Sequence, residues 1–160
     1  MTVRALVIGL GNPERGDDAV GRHVARLVAA QHLDVRVIEL DDPSEALDAW
    51  GPADTVVVTD AVTSDGDAGG IRVVDASART LPAGSWASGG THALGLAAVV
   101  ELARALGRLP RQLLLVGVEA KRFDHGTPMS DAVAAAVPAA AAAVLAAIDN
   151  EGEDSRNSHA

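Results

Sequence analysis

Two β-type runs, Thr55–Thr59 and Ile71–Val74, are separated by the ten-residue segment Ala61–Gly70, which holds Asp65, Gly66, Asp67, Gly69 and Gly70. Such a segment is a loop, too short for the crossover helix that two parallel neighbours need. The second run is therefore expected to lie antiparallel in a sheet whose other strands alternate with helices. That one constraint separates this chain from an all-parallel α/β fold.

The rest of the chain supplies the alternation. Val3–Ile8 is an apolar run closed by Gly9, the pattern of a buried strand. Asp17–Ala30 has helical periodicity, with Val20, Val24, Leu27 and Val28 on one face and Arg22 and Arg26 pointing away. Val35–Leu40 is a second strand, and Ser44–Trp50 a short helix with Ser44 or Pro43 at its start. A loop over Asp75–Gly90 leads to a helix over Thr91–Leu106, a last strand at Leu113–Val118 and a last helix at Ser130–Ile148. Pro138 is expected to kink or restart that helix. Asn150–Ala160 is polar and expected to be disordered. The chain thus reads as one domain over 1–149 with a polar tail at 150–160.

The order β-α-β-α-β-β-α-β-α implies a three-layer αβα sandwich of the phosphorylase/hydrolase-like kind. Its sheet is five-stranded and mixed, in order 2-1-3-5-4, with strand 4 antiparallel. Right-handed crossovers put strands 2 and 3 on opposite sides of strand 1, so a switch point falls between strands 1 and 3. Ligands bind outside the carboxyl ends of strands at such a point. Asp18 follows the turn Gly9-Leu10-Gly11-Asn12-Pro13, and Asp60 ends the run Val56–Thr59. His92 opens a helix after Gly89-Gly90-Thr91 and is carried back to the same edge. Two carboxylates and an imidazole suit a divalent transition metal.

Each of these residues has a plainer reading. Asp17 and Asp18 stand near a helix start, where acidic residues cap or face the dipole; Asp17, coming first, is the expected cap. A strand-terminal Asp such as Asp60 often turns the chain by bonding its own backbone. His92 is one of five histidines. His23, His32 and His159 read as surface or tail, and His125 lies in a loop that approaches the site. In a helix first turn the His92 ring would stay neutral and able to bind metal.

Other chemistries are excluded by what is absent. With no Cys in the chain, thiolate metal sites, disulfides and Cys nucleophiles drop out. No Ser sits in a Gly-x-Ser-x-Gly elbow. The Gly9-Leu10-Gly11 turn fails as a dinucleotide loop because Glu14 occupies the third glycine position. The formal net charge of −9 opposes a nucleic-acid surface. No signal peptide is visible, and the Ala132–Ile148 stretch reads as a packed helix, not a membrane span. The expected setting is a cytoplasmic protein that touches neither nucleic acid nor membrane.

Four blocks in order resemble the hydrogenase maturation endopeptidases. They are Gly9-Leu10-Gly11-Asn12 with Gly16-Asp17-Asp18-Ala19-Val20-Gly21, then Thr59-Asp60-Ala61, then Thr91-His92-Ala93-Leu94-Gly95-Leu96, and finally Gly117-Val118-Glu119 through Gly126 to Ser130. The likeness spans roughly Val3–Ile148. It implies an endopeptidase that removes a C-terminal extension from the large-subunit precursor of a nickel-iron hydrogenase after nickel insertion. It assigns Asp18, Asp60 and His92 as catalytic residues and nickel ligands, in a monomer. The nickel is either bound by the protein or supplied by the precursor. Two departures stand out: position 18 is Asp where many relatives have Glu, and position 19 is Ala where Gly is frequent. Metal-polarised attack by water and general-base catalysis by a carboxylate both remain open. The rivals are a peptidyl-tRNA hydrolase-like esterase, which shares the Gly-x-Gly-Asn opening, and a non-catalytic metal-binding module.

Overall fold

The computed structural model describes residues 5–87 and 94–157. Five strands, β1 (Ala5–Leu10), β2 (Arg36–Leu40), β3 (Thr55–Val62), β4 (Ile71–Asp75) and β5 (Gln112–Glu119), form one sheet in the order β2-β1-β3-β5-β4. β1 runs parallel to β2 and β3, β3 runs parallel to β5, and β4 runs antiparallel to β5. The expected architecture is the observed one, including the reversal imposed by the short link before β4.

Helices cover both faces: α1 (Val20–Gln31) and α4 (Asp131–Asn157) on one, α2 (Ala46–Trp50) and α3 (Leu96–Ala105) on the other. Alternation along each strand divides the core. Leu6, Ile8, Val56, Val58, Leu113 and Leu115 pack with Trp50, Val99 and Val100 on the α2/α3 side. Val7, Val57 and Val116 pack with Val20, Val24, Val28 and Val144 on the α1/α4 side. β3 is buried along its whole length, as a central strand with both faces covered must be. β4 is the sheet edge, and Ile71 and Val73 remain exposed there.

Several element boundaries differ from expectation. β3 continues to Val62, so Asp60 lies inside the strand and pairs with Gly117 of β5 instead of ending the run. The first helix is preceded by a 3-10 turn at Gly16–Ala19 that takes in both acidic residues. A 3-10 turn also precedes α2, and its cap is Asp42, whose carboxylate accepts from Ser44 N at 2.9 Å. α3 begins at Leu96 behind an extended Gly95, so the helix start expected at Thr91 moves four residues beyond His92.

α4 runs unbroken to Asn157 through Pro138, where a kink or restart and an end at Ile148 were expected. Pro138 is on the exposed side of the helix, so water can satisfy the carbonyl its ring leaves free. Beyond Ile148, extending a formed helix avoids the cost of nucleating one, and polar residues do not stop it. Over Asp131–Asn150 this helix is long and apolar enough to cross a membrane. Its Val133, Ala136, Ala140, Ala141 and Val144 are buried in the α1/α4 core.

Candidate active site

β1 and β3 part company at their carboxyl ends. Their pairing stops at Gly9 and Thr59, one residue before Asp60, and β1 then turns away through Gly11. This is the switch point between β1 and β3, and glycines let the turn and α1 crowd into it. A Cβ on Gly21 would stand 2.4 Å from both Leu10 O and Thr59 O. Thr59 Oγ1 donates to Gly21 O at 2.7 Å and ties α1 to β3. Gly11 has φ +137, and a Cβ there would fall 1.9 Å from Asp18 O. No other residue fits that position.

Asp18 and Asp60 meet in this crevice, as expected. They are 1% and 3% exposed. Asp18 Oδ2 accepts from the backbone N of Asn12 at 2.9 Å. Burial pushes the Asp60 carboxyl well above its ordinary range, the Asp18 charge pushes it further, and the Ala61 N–H opposes both. Two carboxylates enclosed together form a pocket of negative potential that a cation or a proton relieves.

Asp17 does something else. The expectation that it caps the first helix is wrong: no side chain caps the 3-10 turn or α1. Its carboxylate, 0% exposed, crosses to the loop between β5 and α4. Oδ2 accepts from Lys121 N at 3.0 Å and Arg122 N at 2.9 Å. Oδ1 accepts from Ser130 N at 2.7 Å and Ser130 Oγ at 2.9 Å. Burial raises the pKa of this carboxyl, but the bonds from Ser130, Lys121 and Arg122 outweigh it and hold the group below its ordinary value. The backbone reinforces the joint, with Asp17 N donating to Arg122 O at 2.7 Å, Gly16 N to Thr127 O at 3.2 Å and Gly126 N to Glu14 O at 2.7 Å.

Two further residues have roles that the sequence reading did not assign. Glu119, at the end of β5 and 3% exposed, accepts from Ser64 N at 3.1 Å and from the Ser64 hydroxyl, anchoring the loop between β3 and β4 beside the crevice. A lone carboxylate closing the apolar run Leu113–Val118 was the available signal. Arg22 was expected to point into solvent. It folds back instead, and its Nε donates to Gly11 O at 2.6 Å. Periodicity places it off the core face but is blind to a carbonyl arriving from another turn.

His92 lies outside the described residues, as does His159. With α3 starting at Leu96, the argument that a helix dipole keeps the His92 ring neutral no longer applies. His23 is exposed, and His125 stands exposed beside Glu14 at 3.5 Å. Among the described residues, no group of three His, Asp or Glu side chains is placed to hold a metal ion. Asp18 and Asp60 are two oxygen donors of the right chemistry for a divalent cation, crowded enough that a positive charge between them is favoured.

The HycI family model, described as hydrogenase maturation protease, matches residues 34–147 of this chain. Hydrogenase 2 maturation protease of Escherichia coli (strain K12) is 28% identical over 154 residues, covering 94% of this chain and 93% of that protein. Among solved structures, the hydrogenase maturating endopeptidase HybD from E. coli is similar with a TM-score of 0.74 and 25% identity, over 93% of this chain and 94% of that one. The [NiFe] hydrogenase maturation protease HybD from Thermococcus kodakarensis is similar with a TM-score of 0.69 and 26% identity, over 88% and 96%.

Proposed function

Since the chain belongs to the hydrogenase maturation protease family, we infer that it is the endopeptidase that removes the C-terminal extension of a nickel-iron hydrogenase large-subunit precursor once nickel has been inserted. The observation that carries this reading is the enclosed Asp18–Asp60 pair at the switch point. In this reading the nickel arrives with the precursor and is recognised by Asp18, Asp60 and His92. Family membership answers the two rivals, a peptidyl-tRNA hydrolase and a non-catalytic metal module.

The chain's own groups suit that task. Burial and the Asp18 charge both favour the protonated form of Asp60 over the charged one. A precursor that brings a cation between the two carboxylates displaces that proton, so recognition is linked to proton release. A precursor without the cation offers the pair no charge complement. Nickel bound near the scissile peptide would polarise its carbonyl as a Lewis acid. A carboxylate of the pair that the cation leaves free is the alternative base for the attacking water.

We read the working unit as a single catalytic domain over 1–149, acting as a monomer in the cytoplasm without nucleic acid or membrane. The net charge of −9 supports the exclusion of nucleic acid. The decisive experiment incubates the protein with nickel-loaded and nickel-free precursor and reads the product by mass. Cleavage of the loaded precursor alone is expected. Equal cleavage of both overturns the recognition role of nickel, and cleavage of neither overturns the activity.

A further inference from the structure

Resting on the reading of Asp18 as a substrate-contacting carboxylate, a second residue can be drawn into the reaction. The Gly11 carbonyl and the Asn12 N–H belong to one peptide unit. Its oxygen accepts from Arg22 Nε at 2.6 Å, and its N–H donates to Asp18 Oδ2 at 2.9 Å. A cation therefore sits on one side of this amide and an anion on the other. Each hydrogen bond polarises the unit in the sense that strengthens its partner.

Everything around the relay fixes it. The Arg22 side chain is only 13% exposed; Nη1 is held by Glu39 at 3.3 Å, and Nη2 by Asp41. Gly11 N donates to Leu40 O at 3.2 Å, which fixes the turn against the end of β2. The positive φ of Gly11 and its lack of a Cβ let the peptide lie against the backbone of Asp18. A residue with a side chain at position 11 would push the amide away from the carboxylate.

We propose that Arg22 is a positioning residue for precursor cleavage, acting through the Gly11–Asn12 peptide to fix the Asp18 carboxylate opposite Asp60. In this role Arg22 acts through the Gly11 carbonyl. Its influence is on the orientation and charge distribution of Asp18, and so on turnover more than on docking of a large protein substrate.

The test compares Arg22→Gln, Arg22→Lys, Asp41→Asn and Asp18→Asn in the full chain. Arg22→Gln is expected to lower kcat by roughly 10- to 100-fold, the usual cost of losing a group that orients a ligand, with KM within about twofold of the parent. Arg22→Lys keeps a cation near the carbonyl and recovers part of the rate. Asp41→Asn weakens one outer partner of the guanidinium while Glu39 and the Nε–Gly11 O bond remain, and is expected to cost less rate than Arg22→Gln. Independently of substrate, the Asn12 amide proton in a ¹H–¹⁵N spectrum should move upfield in Arg22→Gln and in Asp18→Asn.

Parent kinetics in Arg22→Gln, or an unmoved Asn12 resonance, overturns the proposal. So does Asp41→Asn losing as much rate as Arg22→Gln, because the role would then be that of an ion pair between α1 and β2. If Arg22→Gln does not fold, Arg22→Lys decides: an intermediate rate and amide shift support the relay, and parent values of both overturn it. Full activity in Asp18→Asn defeats the underlying reading of the site instead. Loss in Asp18→Asn beside parent behaviour in Arg22→Gln defeats the relay alone.

Discussion

Asp17 and Asp18 are adjacent in the chain and both enclosed, yet their carboxylates meet different partners. The Asp17 carboxylate receives four hydrogen bonds from Lys121, Arg122 and Ser130, and its charge is favoured. Asp18 receives the Asn12 N–H and faces Asp60, whose charge is disfavoured. Enclosure alone thus says little about what a buried acid is for. The surroundings decide: a carboxylate ringed by donors holds the fold together, and one set against a second buried carboxylate calls for a cation or a proton.

The contrast breaks most visibly at Asp60. Asp60→Asn keeps the shape and removes the charge. Precursor cleavage should fall by more than about 100-fold, the upper end seen for groups that only support a ligand, while the melting temperature stays at or above the parent's. A folded Asp60→Asn that cleaves at the parent rate would abolish the distinction between the two acids. The same loss is expected of His92→Ala, measured by cleavage alongside circular dichroism.

Asp17→Asn should behave in the reverse way, with stability as the casualty. An amide nitrogen faces donors where an oxygen accepted them, and buried N–H groups lose their partner. The expected cost is about 2–4 kcal/mol, from one or two charge-assisted bonds, or a fall in melting temperature of roughly 5–15 °C for a chain of this size. Thermal melts check it, and a melting temperature within about 1 °C of the parent's would show that the joint to the 121–130 loop is not held by this charge.

Acidity separates the pair more finely. The Asp60 pKa is raised in the fold, so the native state binds its proton first. Stability from this group grows as pH falls through its folded value toward the ordinary carboxylate value near 3.8, and stays level below it. The Asp17 pKa is lowered, so its contribution is complete above about 3.8 and is lost as pH falls further, through its folded value. Urea denaturation across this range should lose the first arm in Asp60→Asn and the second in Asp17→Asn. The smallest effect belongs to His23→Ala on the exposed side of α1, which should stay within about 0.5 kcal/mol of the parent and retain parent cleavage.

How far these roles could be read in advance followed the range of the interactions behind them. The sheet order was legible because it depends on a short link and on strand composition, both local. Asp60 was legible as a crevice residue, although β3 ran on past it to pair with β5. The division of labour between Asp17 and Asp18 was not legible. Capping preference weighs only near neighbours, and the donors to Asp17 lie 104 to 113 residues away. Arg22 was misread for the same reason, since its periodicity is a property of α1 and its partner belongs to the Gly11 turn. The ends of α3 and α4 were displaced because Gly95 stays extended and nothing after Ile148 stops a helix already formed.

The Asp17 joint also has a meaning in time. A ribosome makes the Gly16–Ala19 turn early and reaches Ser130 only after most of the chain has emerged. Until then the turn that presents Asp18 lacks its bracing from Lys121, Arg122 and Ser130. Contacts so distant in sequence form late. A nascent chain interrupted before Lys121 therefore carries Asp17 and Asp18 without the frame that aims them, and the turn is braced only once the 121–130 loop has been made.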